Sequence, residues 1–142
     1  MIFRMATRDD IDPLINGALR AYGSRVKDLE AAVRWSLAVI DSKQALVLTG
    51  ADEPPGETVL VSTLTPLFFD PTHQEHFIKF IWTHTGRIHL LATMLRTAVN
   101  WAISQRASEH IFSPPPDMPE LIVLAKRIGF GEEQPLWVRR TN

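Results

Sequence analysis

The stretch His76-Phe77-Ile78-Lys79-Phe80-Ile81-Trp82-Thr83-His84-Thr85-Gly86-Arg87-Ile88-His89-Leu90-Leu91-Ala92 decides how this chain is read. Its first part, His76 to Thr83, is a strand candidate, because Phe77, Phe80 and Trp82 suit a sheet buried on at least one face. The period then changes. Leu91, Met94, Leu95, Ala98 and Ala102 recur at helical spacing, in a helix expected to end near Gln105. A strand passing into a long helix through a glycine-containing connection is one unit of a sheet with helices packed on it.

Working outward toward the N-terminus, Gln44 to Thr49 and the β-branched run Thr58 to Thr65 are two further strands. Between them, Gly50-Ala51-Asp52-Glu53-Pro54-Pro55-Gly56 is turn chemistry, so the pair reads as an antiparallel hairpin with a loose loop. Upstream lie two amphipathic helices. One carries Ile11, Leu14, Ile15, Ala18, Leu19 and Tyr22 and ends at Gly23-Ser24; the other carries Val26, Leu29, Val33, Leu37 and Ile40 and stops at Asp41-Ser42. Ile2 to Met5 forms a first strand, and Thr7 with Asp10 makes a capping-box arrangement ahead of the first helix.

Outward toward the C-terminus, His110 to Ser113 is a short strand stopped by Pro114-Pro115-Pro116. A last helix aligns Leu121, Leu124, Ala125 and Ile128, with Gly129 as its C-terminal cap, and Leu136 to Arg139 is a final strand. The order is strand, two helices, three strands, helix, strand, helix, strand. It predicts one domain over residues 1–142, of the α/β (α+β) class.

Composition narrows the function classes. Of 142 residues, 45% are hydrophobic and 22% charged, as in ordinary globular domains, which excludes collagen-like and disordered readings. The absence of cysteine excludes a disulfide framework, thiolate metal ligation and a cysteine nucleophile. Fifteen Lys and Arg against sixteen Asp and Glu give a net charge of -1, so a nucleic-acid partner is not expected. The opening Met1-Ile2-Phe3-Arg4 lacks the apolar core of a signal peptide, and no run approaches a membrane span. A protein of the cytoplasm with no membrane partner is expected. His73, His76, His84 and His89 lie close in sequence, but no pair has helical ligand spacing, and no metal is expected. The tryptophans Trp35, Trp82, Trp101 and Trp137 read as core volume. Phe68-Phe69 sits in a connection, as an exposed contact patch or a lid.

The element order resembles the GNAT superfamily of N-acetyltransferases. Arg4-Met5-Ala6-Thr7-Arg8-Asp9-Asp10 is similar to the family's opening strand and helix start. Leu91 to Ala102 resembles its long helix, and Leu124-Ala125-Lys126-Arg127-Ile128-Gly129-Phe130 its closing helix and Gly-Phe. The resemblance implies a GNAT-like mixed, mostly antiparallel sheet of about six to seven strands flanked by about four helices. It also implies an acetyl-CoA pyrophosphate loop at Thr85 to Ala92, where glycines and a helix N-terminus hold the anion in the family. The candidate cofactor residues are Trp82, Thr83, Gly86, Arg87, Ile88, Leu90, Leu91 and Ala92. Arg87 takes the loop's first position and Ala92 its last, but Leu90 replaces the central glycine, where its side chain would occupy the phosphates' space. The family's asparagine and its acid-donating tyrosine fall on Met118 and Ala125. Glu75, at the start of the fourth strand, is the candidate base for an acceptor amine.

Two functions follow as expectations. The first is a GNAT-fold protein with an eroded acetyl-CoA site, acting as a non-catalytic binding or structural module. In length, layout and loop erosion the chain resembles small GNAT-like bacteriophage proteins, which implies a virion-associated or host-interaction role, with a protein partner or self-association. The second is an acetyl-CoA-dependent N-acetyltransferase acting on a primary amine, with Glu75 as base.

Overall fold

Thr7 begins the fold's first ordered corner. Its amide donates to Asp10 Oδ2 at 2.8 Å, closing the anticipated capping box around a short 3-10 turn, Arg8–Asp10. The same carboxylate receives both Arg4 guanidinium nitrogens, at 2.7 and 2.8 Å, tying the first strand (β1, Phe3–Met5) to the first helix (α1, Ile11–Tyr22). Hydrogen bonds from Arg4 pull the buried Asp10 carboxyl down to about 2, against the opposing effect of burial. Asp10→Ala removes the cap and the ion pair together. It is expected to cost about 2–3 kcal/mol, because Arg4 is left partly solvated rather than buried alone. Chemical denaturation at pH 7 checks this.

The computed structural model describes residues 2–131. After α1 come helix α2 (Leu29–Asp41), strands β2 (Ala45–Gly50), β3 (Thr58–Pro66) and β4 (Gln74–Thr83), helix α3 (Ile88–Ser104), strand β5 (Ala107–Phe112) and helix α4 (Pro119–Arg127). The strands form one sheet in the order β1-β2-β3-β4-β5. Every neighbouring pair is antiparallel except β4 and β5, which run parallel. That exception follows from α3, the crossover that returns the chain to the same end of the sheet.

Strand alternation sends side chains to two cores. Leu46, Leu48, Leu60, Ile78 and Ile81 face α3 and α4, meeting Leu91, Met94, Leu95, Ala98 and Leu121. Val47, Val59, Val61 and Trp82 face α1 and α2, meeting Leu14 and Val39. The second core is the smaller one.

The element order and the mixed, mostly antiparallel sheet agree with the sequence reading; several details differ. The described residues hold five strands, fewer than the six to seven expected, and the strand placed at Leu136 to Arg139 lies outside them. Helix α3 begins at Ile88 and not at Leu91, and its N-cap is Arg87, a residue that gives no capping signal. Strand β5 begins at Ala107 rather than His110, because its polar start faces solvent and shows no apolar alternation. Val26 precedes α2, which opens on the side chain of Asp28 accepting from the Ala31 amide at 3.0 Å. Among the described residues no helix is long and apolar enough to cross a membrane.

Candidate functional site

Strand β4 carries an extra residue. Val61 of β3 pairs with Phe80 and Ser62 with Ile78, so Lys79 has no partner opposite it. This is a β-bulge, which bends a strand and leaves its extra residue outside the ladder. Beyond it the side chains exchange faces: Ile78 and Ile81, three apart, both enter the α3 core. Pairing with β5 also ends here, at Ile78 and Phe112. Among the described residues, Lys79 to Thr83 therefore has no strand on its β5 side, and the two parallel strands part. The sequence did carry a signal for this, since apolar residues occupy both parities on either side of Lys79.

The parted edge leads to the N-terminus of α3. Only His84 to Arg87 connect β4 to that helix, with Gly86 in the left-handed region at φ 73°. Thr83 Oγ1 accepts the Arg87 amide at 3.0 Å. A cleft of about 370 Å³ opens beside the first turn, between Arg87, Ile88, His89, Thr93 and Glu120. Amides in a first helical turn lack intrahelical acceptors, and this is the geometry that serves phosphates elsewhere.

The arginine at this cleft is paired with carboxylates. Arg87 binds Asp52 at 2.5 and 3.2 Å and lies 3.5 Å from Glu53, both on the turn between β2 and β3. The Arg87 guanidinium holds the Asp52 carboxyl below the usual carboxylate range. Glu53 is nearly buried, accepts from Thr85 Oγ1 at 2.8 Å, and its Oε1 has no hydrogen-bond partner. Glu120 adds a third carboxylate across the cleft. One guanidinium already shared by two carboxylates has little attraction left for an incoming dianion.

Leu90 lies inside α3, is buried against its core, and also lines the cleft. Leu91 is likewise fully buried, while Ala92 sits in the first two turns of the same helix. The connection from β4 to α3 runs only from His84 to Arg87, and Arg87 at its end is engaged by Asp52 and Glu53. Leu90→Gly is accordingly expected to cost about 3–5 kcal/mol through cavity and helix-propensity losses, without improving acetyl-CoA binding. Thermal melting of the variant with and without acetyl-CoA reads both effects.

The other sequence candidates are spread over both faces of the sheet. Trp82 is core: its indole N–H donates to the Gly56 carbonyl at 2.9 Å. Glu75 is the second residue of β4, in register with Thr65 on one side and Glu109 on the other. Its neighbour His76 is fully buried and faces His110 of β5, with the two Nδ1 atoms 3.0 Å apart. Burial, and then His110, push His76 down to about 4, and burial lowers His110 as well. Among the described residues, no three His, Asp or Glu side chains converge as a metal site.

Over the opposite face, between α1, α2 and the β4 edge, lies a cavity of about 440 Å³. Tyr22, Trp35, Phe80 and Trp82 wall it. The Tyr22 hydroxyl crosses to the β4 edge and donates to the Ile81 carbonyl at 3.1 Å. The sequence reading takes Trp35 and Trp82 as core volume, Tyr22 as part of a helix stripe and Phe80 as a strand residue. On the α2 side of the cavity only Val39 is buried.

No protein-family model matches the chain, and no curated protein matches it. Solved structures match along nearly the whole length. Aminoglycoside antibiotic 6'-N-acetyltransferase from Acinetobacter baumannii superposes with a TM-score of 0.75 at 12% identity, covering 99% of this chain and 97% of that one. A transcriptional regulator from Bacillus halodurans C-125 gives 0.78 at 14% identity, covering 98% of each chain. AAC(6')-Iy, solved with the bisubstrate analogue CoA-S-monomethyl-acetylneamine, gives 0.75 at 8% identity, covering 99% and 97%. These matches, over nearly the whole of each chain, settle the architecture: the chain has the fold of the GNAT acetyltransferases.

Proposed function

We propose that this protein is a GNAT-fold binding module that does not use acetyl-CoA catalytically. The observation that carries the reading is the engagement of Arg87 by Asp52 and Glu53, with Glu120 nearby, where a pyrophosphate would need cationic and amide donors. A fold does not bring an activity with it; the site does. Two absent side chains support the same reading, since Met118 and Ala125 offer no hydroxyl or amide. Phe68 and Phe69, each 92% exposed on the β3–β4 connection, support contact with a protein partner or a second copy of the chain.

Melting the protein with and without acetyl-CoA tests this. A ligand at 100 times its dissociation constant stabilises by about 2.7 kcal/mol, and the account predicts no shift at millimolar acetyl-CoA. A clear rise in Tm contradicts it.

A second reading, an acetyl-CoA-dependent N-acetyltransferase, is favoured by the bulge at Lys79. A residue outside the ladder leaves a backbone amide for an acyl oxygen, and Glu75 on the same strand would serve the acceptor amine as base. In that reading, Glu75→Gln abolishes acetylation of a primary amine while leaving the melting temperature unchanged.

A further inference from the structure

We infer that the cavity between α1, α2 and β4 is a binding site for a small planar aromatic carboxylate. Its volume, about 440 Å³, compares with the ~150 Å³ in which an apolar protein cavity holds benzene, so two or three fused rings fit. The wall is aromatic and continuous. The Tyr22 and Phe80 rings are 5.5 Å apart, Trp35 and Phe80 5.6 Å, and Tyr22 and Trp82 6.0 Å.

The polar atoms in this wall are already committed within the protein. The Tyr22 hydroxyl donates to Ile81, the Trp82 N–H to Gly56, and the Ser36 hydroxyl to Ala32 at 2.8 Å. Ring faces and edges are what remain for a guest, which selects an apolar body over a sugar or a polyamine. The rim selects the charge. Arg25, 6.0 Å from the Tyr22 ring centroid, and Lys27 both border the cavity, and among the described residues neither forms an ion pair. Asp28, the carboxylate that lines the cavity, caps α2 and keeps its charge, which leaves the two cations in excess by one. A rim with one positive charge in excess over an aromatic pocket complements a ring bearing a single negative group.

This inference supplies a ligand for the module proposed above and makes no use of the α3 cleft. The test is calorimetric titration of the full chain with 2-naphthoate and with uncharged 2-naphthamide. Saturable one-to-one binding of both, with naphthoate tighter, is expected. Arg25→Gln with Lys27→Gln, both at the rim, should weaken naphthoate about fivefold and leave naphthamide unchanged. Ala32→Phe should fill the cavity and abolish binding of both. The proposal is overturned by no saturable heat with either compound at millimolar concentration, by binding that survives in a folded Ala32→Phe variant, or by naphthoate affinity indifferent to the rim charges. Heat with acetyl-CoA alongside naphthoate binding would overturn the module reading and leave this site standing; silence from naphthoate alone does the reverse.

Discussion

Gly17→Ala is expected to lower stability by about 4 kcal/mol, seen as a fall in Tm of about 10–20 °C. A Cβ at Gly17 would lie 2.3 Å from the Gly56 carbonyl oxygen and 3.0 Å from Trp82 Nε1. Gly56 cannot yield, because it sits at φ 86° and its own Cα already approaches Pro13 so closely that a Cβ there would be 2.2 Å from the Pro13 oxygen. Two backbones are in contact, and the junction carries hydrogen bonds from Trp82 to Gly56, between His84 and the Gly17 carbonyl, and from the Gly56 amide to Thr49 Oγ1. Separating α1 from the β2–β3 turn breaks the His84–Gly17 hydrogen bond and strands its polar groups, while the bonds of Gly56 to Trp82 and Thr49 hold the turn in place against such a shift. Gly23→Ala is the control: nothing lies within 4 Å of its Cβ position and its φ is helical, so the change should be neutral or slightly stabilising. Similar melting temperatures for the two variants would contradict the tight junction.

The second large effect is acid sensitivity from the buried histidine pair. His76 has a folded value near 4 against an unfolded 6.5, so the unfolded chain binds the proton more tightly. Its stabilising contribution is therefore complete above pH 6.5 and is lost as pH falls from 6.5 toward 4. The full loss is about 3 kcal/mol, a large share of a typical folding free energy. His110, lowered in the same direction, adds to the same window. Asp10 acts separately and later, since its stabilisation fades only as pH falls from the ordinary carboxylate value toward 2. Urea denaturation at pH 7, 5.5 and 4.5 should show the decline in the wild type and a much flatter profile in His76→Leu. A wild type equally stable across that range would show that the histidines are solvated.

How much of this was legible in the sequence depended on whether the controlling contact was local. The helices and the β2–β3 hairpin follow from period and turn chemistry. The Thr7–Asp10 capping box was legible because its two groups are three residues apart. The start of α3 was not, because Arg87 caps it without a capping side chain; Leu90 was therefore read as loop when it is helix core. The pairing of His76 with His110 needs the parallel register of β4 and β5, which no local pattern encodes. The contacts of Arg87 with Asp52 and Glu53 join residues more than thirty positions apart. The sequence placed Leu90 where the resemblance expects a glycine, and only the fold shows that carboxylates engage Arg87. The slip in alternation at Lys79 was visible and marks the bulge around which the β4–β5 edge opens.

Engagement of Arg87 by Asp52 and Glu53 should keep a CoA pyrophosphate from the N-terminus of α3. Calorimetric titration with acetyl-CoA tests it most directly, comparing the wild type with Asp52→Asn combined with Glu53→Gln. The predicted result is no saturable heat at millimolar acetyl-CoA for the wild type, with measurable binding appearing once the carboxylates are neutralised. Micromolar binding by the wild type would contradict the claim.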